Sequence, residues 1–317
     1  MGHFFRPTTA KNPKFGWAVE HSLYYRRSAA VHNYGDIFMT ILVLSATGTT
    51  GRATVRALLT RGARVRAATR SMDSASFEVG VEVVRFDPLE RSTWSSALSG
   101  VDAMYFCLPT ALTEEVELSL ALIEAAAVQG VQRIVMLSAF RADVITYAPH
   151  KRLEAAIEAS GVRWIHLRPN FFAENFITML SPENMIALPA GGGRISFVTA
   201  SDVGEAAAEA LLGDDHGEIW TLTGPEALDH EQVASILGET LGRNVQYVDI
   251  APEAYAEMLT QYMGMDAQKA TNLSMVFSVD VAQNEYAPVL EDLPRVLGRP
   301  ATSFMQWAQA NAEAFAS

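Results

Sequence analysis

The residue types best suited to chemistry gather in one short stretch, Ser45-Ala46-Thr47-Gly48-Thr49-Thr50-Gly51. Glycines let a backbone approach an anion closely. The free N–H groups and positive end of a helix starting there would hold that anion. The spacing is that of a G-x-x-G-x-x-G dinucleotide-phosphate turn, with Ser45, Gly48 and Gly51 in the three glycine positions. The G-x-G-x-x-G form does not fit. Two elements must position such a turn. Before it, Ile41-Leu42-Val43-Leu44 is a continuous apolar run, the pattern of a strand buried on both faces. After it, Ala53, Val55, Ala57, Leu58 and Leu59 read as a helix that ends near Arg61-Gly62, and a second strand follows over 63–70. Strand, turn, helix and strand are the context that a phosphate cradle needs.

The other candidates terminate strands, because ligands of an open α/β sheet sit beyond the carboxyl ends of its strands. After the second strand comes Thr69-Arg70-Ser71, without the Asp or Glu that would hold two ribose hydroxyls. Arg70 can pair with a 2′-phosphate and Ser71 can donate to it, so the site favours NADP(H) over NAD(H). Asp87, after Phe86, can accept from an adenine amino group. Leu108 and Pro109 offer an apolar edge to the adenosine ribose and the nicotinamide side, and Cys107 reads as an inert small hydrophobe inside a strand.

Strands are expected at 41–44, 64–68, 81–86, 103–108, 133–137 and 164–167. Helices are expected at 92–98, 113–128 and 150–160, the second presenting Val116, Leu120, Ile123 and Ala127. This alternation predicts an α/β fold, a doubly wound parallel sheet of Rossmann type. Beyond Phe171 it loosens. A loop at 190–193 leads to a short strand over 195–198 and a helix over 200–212, N-capped by Ser201. A strand at 218–222 and helices at 230–241, 252–262 and 303–315 follow. The last presents Phe304, Trp307, Ala308, Asn311 and Phe315 at helical spacing. The expected division is an N-terminal extension (1–38), a dinucleotide-binding domain (39–170) and a smaller C-terminal α/β substrate lobe (171–317) interleaved with it.

Of the 317 residues, 49% are hydrophobic, and the net charge of −12 leaves no basic field for nucleic acid. The single cysteine rules out an intramolecular disulfide and fits a reducing compartment. No apolar run reaches the 18 residues of a membrane helix, so the cytoplasm is the default. The seven histidines are scattered, with no metal-ligand spacing. Residues 1–38 mix aromatic and basic residues without a sustained period and lack the apolar core of a secretory signal. They read as a leader or poorly ordered extension, with an arm that packs on a partner as the other reading.

Ser138, Tyr147 and Lys151 resemble by type the Ser, Tyr and Lys of short-chain dehydrogenases, in which the Tyr donates a proton beside the Lys ammonium. Pro149 lies between Tyr147 and Lys151 and places Tyr147 before the helix rather than one turn from Lys151. A fuller resemblance is to the NmrA-like branch of the atypical short-chain dehydrogenase superfamily. It is carried by S-A-T-G-T-T-G from Ser45, T-R at Thr69-Arg70, F-D at Phe86-Asp87, H-K-R-L-E-A-A-I-E-A-S-G-V from His150 and L-R-P-N-F-F-A-E-N-F from Leu167. S-D-V from Ser201, L-T-G-P-E from Leu222, L-G-R from Leu241 and the L-G-R-P-A-T-S-F stretch from Leu297 continue it.

The resemblance implies NADP(H) held by Ser45, Thr47, Gly48, Thr49, Thr50, Gly51, Arg70 and the strand ends. It puts Lys151 near the nicotinamide ribose and Pro169, Asn170 and Phe171 along the nicotinamide. Phe172, Asn175 and Phe176 then line the substrate pocket. The departure is Ser45, where the family usually has glycine. The implied function is an NADP(H)-dependent reductase passing hydride to a small conjugated or aromatic acceptor such as a quinone, enone or imine. The alternatives are a non-catalytic redox sensor acting through protein partners, or a non-redox isomerase or cyclase. A monomer or homodimer with a small-molecule substrate, bound to neither nucleic acid nor membrane, is expected.

Overall fold

The residues of β1 (Thr40–Val43) are all buried, as an apolar run with no polar alternation dictates. The computed structural model describes residues 39–72, 76–109, 115–145 and 149–315. Residues 1–38 and Tyr147 therefore lie outside the described residues. After β1 come α1 (Thr49–Thr60), β2 (Arg64–Thr69), β3 (Glu82–Arg85), α2 (Trp94–Leu98), β4 (Ala103–Phe106), α3 (Val116–Val128), β5 (Arg133–Leu137), α4 (His150–Ala159) and β6 (Arg163–Pro169). Beyond β6 lie α5 (Phe176–Met179), β7 (Met185–Leu188), α6 (Ala200–Leu212), β8 (Glu218–Leu222), α7 (His230–Leu241), β9 (Gln246–Asp249), α8 (Pro252–Met263), α9 (Ala267–Met275), α10 (Asp292–Leu297) and α11 (Phe304–Ala310).

Seven parallel strands form the main sheet in the order β3-β2-β1-β4-β5-β6-β8. The chain winds outward from β1 to one side, then crosses back to β4 on the other. The topological switch point is therefore between β1 and β4, where α/β sheets bind ligands. Side chains alternate across β1. Ile41 and Val43 pack into a core with Val55 and Leu58 of α1 and Val203 of α6. Leu42 and Leu44 face the opposite core with Trp94 of α2, Leu122 of α3 and Leu153 of α4. Gly204 lets α6 lie against α1, since a Cβ there would meet the Ala53 carbonyl carbon at 2.6 Å.

A third core fills the smaller lobe with Phe176, Phe197, Phe304, Trp307, Tyr255 and Phe277, beside the two-stranded parallel sheet of β7 and β9. α6 packs in the core of the main sheet, and β8 is its last strand beside β6.

Several local expectations are corrected. Residues 195–198 form no strand. Ile195 bridges Leu228 antiparallel while Val198 bridges Phe172 in parallel, so no ladder propagates. The N-cap of α6 is Thr199, not Ser201. Its side chain accepts from the Asp202 N–H, and its extended backbone suits the position. Among its described residues α3 buries Ser119, Leu122, Ile123 and Ala126, a face rotated from the expected one because Val116, Leu120 and Ala127 are only half buried. β4 stops at Phe106, so Cys107 lies just beyond the strand. α11 ends at Ala310 and a 3₁₀ turn continues to Phe315. β7, β9, α9, α10 and the π-helical turn Val276–Val281 have no counterpart in the pattern reading.

No helix among the described residues is long and apolar enough to cross a membrane. Among the same residues no three His, Cys, Asp or Glu side chains converge as a metal set.

Candidate functional site

At the switch point the backbone is left open to a ligand. α1 starts at Gly48 with no side-chain cap and no acidic residue in its first turn. Its orphan N–H groups and positive dipole end therefore remain uncompensated. Thr47, Gly48 and Thr49 are exposed there. Gly51 is needed for close packing, because a Cβ would meet the Ser45 carbonyl oxygen at 2.1 Å. Ser45 adopts the left-handed conformation with φ 49° that its glycine position requires. Its hydroxyl donates to the Cys107 carbonyl at 2.9 Å, tying the turn to the end of β4. The serine hydroxyl thus reaches the carboxyl end of central strand β4 and offsets part of its backbone strain with a hydrogen bond.

Thr50, one turn into the site, lies 3.8 Å from the Cys107 sulfur. Burial pushes that thiol up to about 11, which keeps it protonated and unreactive. Leu108 is half buried and Pro109 exposed beside it. At the end of β2, Thr69 Oγ1 caps a tight turn by accepting from the Ser71 N–H at 3.3 Å. Arg70 and Ser71 project there as exposed residues. Asp87 accepts from the Leu89 N–H at 3.0 Å through Oδ1, and its own N–H donates to Thr93 Oγ1. An uncapped helix start, a glycine cradle and an exposed cation after β2 fit a phosphorylated dinucleotide.

The carboxyl ends of β5 and β6 are built around buried charge. Glu154 of α4 is fully buried, and Arg168 of β6 grips it with Nε to Oε1 at 2.9 Å and Nη2 to Oε2 at 2.7 Å. Ser138, after β5, donates its hydroxyl to Glu154 Oε1 at 2.6 Å. Lys151 stands one turn earlier on α4, with Nζ 3.6 Å from Glu154 Oε2 and half its side chain exposed. Burial pushes the Glu154 carboxyl up, but the Arg168 and Ser138 hydrogen bonds more than offset this and hold it below the ordinary carboxylate range. Asp143 adds a contact to Arg168 at 3.2 Å.

Beyond β6, Asn170 is buried and its amide is spent within the protein. Nδ2 donates to Ser196 Oγ and the Tyr286 carbonyl, each at 2.8 Å, and Oδ1 accepts from the Phe171 N–H. Phe171 packs on Tyr286 and Phe277 with ring centroids 5.1 and 5.2 Å apart, and Phe140 lies 5.4 Å from Tyr286. These rings make an aromatic wall beside the end of β6.

The model of the NmrA-like family matches residues 39–310. The chain belongs to the NmrA-like family. A curated relative, the NAD(P)H azoreductase of Xenophilus azovorans, is 32% identical over 87% of this chain and 99% of its own length. Two solved structures share the fold. The triphenylmethane reductase of Citrobacter sp., complexed with NADP(H), aligns with a TM-score of 0.74 and 22% identity over 86% of this chain and 99% of that one. The NADPH-dependent quinone oxidoreductase of Escherichia coli aligns at 0.72 and 23% identity over 85% and 98%.

The expected site residues of this NmrA-like chain fall into three groups. Ser45 to Gly51, Arg70, Ser71, Asp87, Leu108 and Pro109 gather at the ends of β1 to β4. Ser138, Lys151, Pro169 and Phe171 gather at the ends of β5 and β6, where Phe172 is half buried against the main core. Phe176 is set apart: only 1% exposed, it packs edge-on against Phe197 and Phe304 in the lobe core. Asn175 is exposed in the turn before it.

Three residues escaped the sequence reading. Glu154 and Arg168 lie on a helix and a strand, and their pairing becomes visible only in three dimensions. Arg52 donates to the Thr47 and Ser76 carbonyls at 3.0 and 3.1 Å, joining the phosphate turn to the segment before β3. Its position directly after Gly51 was the available signal.

Proposed function

We propose that this chain, an NAD(P)H-dependent oxidoreductase of the NmrA-like family, passes hydride from NADPH to a small conjugated or aromatic acceptor of quinone, enone or imine type. The observation that carries the cofactor half is the uncapped start of α1 at the switch point, with exposed Arg70 and no carboxylate at the end of β2. The N–H groups of the α1 start hold the pyrophosphate, and Arg70 neutralises a 2′-phosphate. Lys151 reaches the nicotinamide ribose. The bound cofactor supplies the hydride.

Phe171 and the rings behind it exclude water and give a flat acceptor a face to lie against. Ser138 has its hydroxyl hydrogen committed to Glu154 and has none left to donate to an acceptor. An acceptor that spreads the incoming charge over a conjugated system needs such a donor least. The azo, quinone and triphenylmethane names of the relatives support this acceptor class.

The test is NADPH oxidation with a quinone, an enone, an imine and a simple ketone. Turnover is expected with at least one of the first three and faster than with the ketone. Tight NADPH binding with no turnover on any of them contradicts the reductase reading and favours a redox sensor.

A further inference from the structure

Both carboxylate oxygens of Glu154 are engaged by neighbouring side chains. The side chain is completely buried on α4. Oε1 accepts from the Ser138 hydroxyl at 2.6 Å and from Arg168 Nε at 2.9 Å, while Oε2 accepts from Arg168 Nη2 at 2.7 Å and faces Lys151 Nζ at 3.6 Å. An ion pair this deep is weak evidence of stability on its own, because desolvation can exceed the Coulomb gain. Its geometry does something more specific. One carboxylate fixes the two side chains, Ser138 and Lys151, that the cleft offers to the nicotinamide end.

We infer that Glu154 is the positioning residue of the site. It holds the Lys151 ammonium at the mouth of the cleft and turns Ser138 so that only its lone pairs remain for a ligand. Arg168 keeps Glu154 in place from the strand side, and Lys151 has donor capacity to spare because its contact with Glu154 is the longest of the set. The inference rests on the reading of the cleft as an NADPH site and adds to it the residue that aims the lysine.

A double-mutant cycle on cofactor affinity tests it without any acceptor. The NADPH dissociation constant is measured by nicotinamide fluorescence for the parent, E154Q, K151M and E154Q/K151M. E154Q is expected to weaken NADPH about fivefold when Lys151 is present and to have almost no effect in the K151M background. Equal weakening in both backgrounds, or no weakening in either, overturns the inference. Should E154Q fail to fold because Arg168 loses its partner, E154Q/R168Q replaces both charges with amides and enters the same cycle. A parent that binds NADPH but reduces no quinone sinks the acceptor reading, while the cycle still decides the role of Glu154. A parent that does not bind NADPH overturns both.

Discussion

At the end of β1 the cleft is lined by backbone, and at the ends of β5 and β6 it is lined by side chains. The first region leaves donors unsatisfied: α1 begins without a cap, and exposed Arg70 stands nearby. The second satisfies its groups internally: Glu154, Arg168, Ser138 and Asn170 all spend their polar atoms on one another or on neighbouring chain. A diphosphate is recognised the same way in every dinucleotide, so fixed N–H groups suffice for it. On the proposed reading the ends of β5 and β6 are the reacting end, which must place particular atoms, and there a hydrogen-bonded network replaces open backbone.

The largest effect should come from breaking the side-chain region. Arg168→Met leaves the Glu154 carboxylate buried without its cation and is expected to cost about 3–5 kcal/mol in denaturant unfolding. A loss below about 1 kcal/mol would mean that the network is not the rigid half of the cleft. Gly51→Ala attacks the backbone region. Its Cβ collides with the Ser45 carbonyl, so a cost of about 1–3 kcal/mol is expected, with NADPH affinity falling more than the unfolding midpoint would suggest.

His230 sharpens the contrast from the lobe. Like Glu154 it is buried, at 1% exposed, but neither ring nitrogen has a hydrogen-bond partner, and Phe176, Phe197, Phe277 and Tyr247 surround it. Burial lowers its pKa to about 4. The unfolded chain takes up that proton near pH 6.5 and the native chain only near pH 4. The stability is therefore whole above pH 6.5 and drains away as the pH falls toward 4. About 2 kcal/mol should be gone by pH 5. Unfolding curves at pH 7 and pH 5 check it, and His230→Phe should flatten the difference.

The sheet was legible because its strands carry their burial in consecutive letters. Ile41 to Leu44 needs no tertiary information to be read as a doubly covered strand. The phosphate turn was legible for the same reason, since Gly48 and Gly51 act through backbone spacing within one loop. What escaped depends on partners far along the chain. The 195–198 segment has strand letters, but its two ends bridge in opposite senses. β7 and β9 are four-residue strands that, among the described residues, pair with each other. The family resemblance puts Phe176 in the substrate pocket, whereas the short α5 turns it into an aromatic core. Glu154 read as one more helix glutamate until β6 brought Arg168 beneath it.

The most direct measurement is a titration of the purified protein with NADPH, NADP⁺, NADH and NAD⁺, repeated on Arg70→Ala. The expected result is preferential binding of the two phosphorylated forms, weakened about tenfold in the variant while the unphosphorylated forms are unchanged. Binding of none of the four, or an Arg70→Ala variant that still prefers NADPH as strongly as the parent, would contradict the assignment of the β1 and β2 ends as the NADP(H) phosphate site.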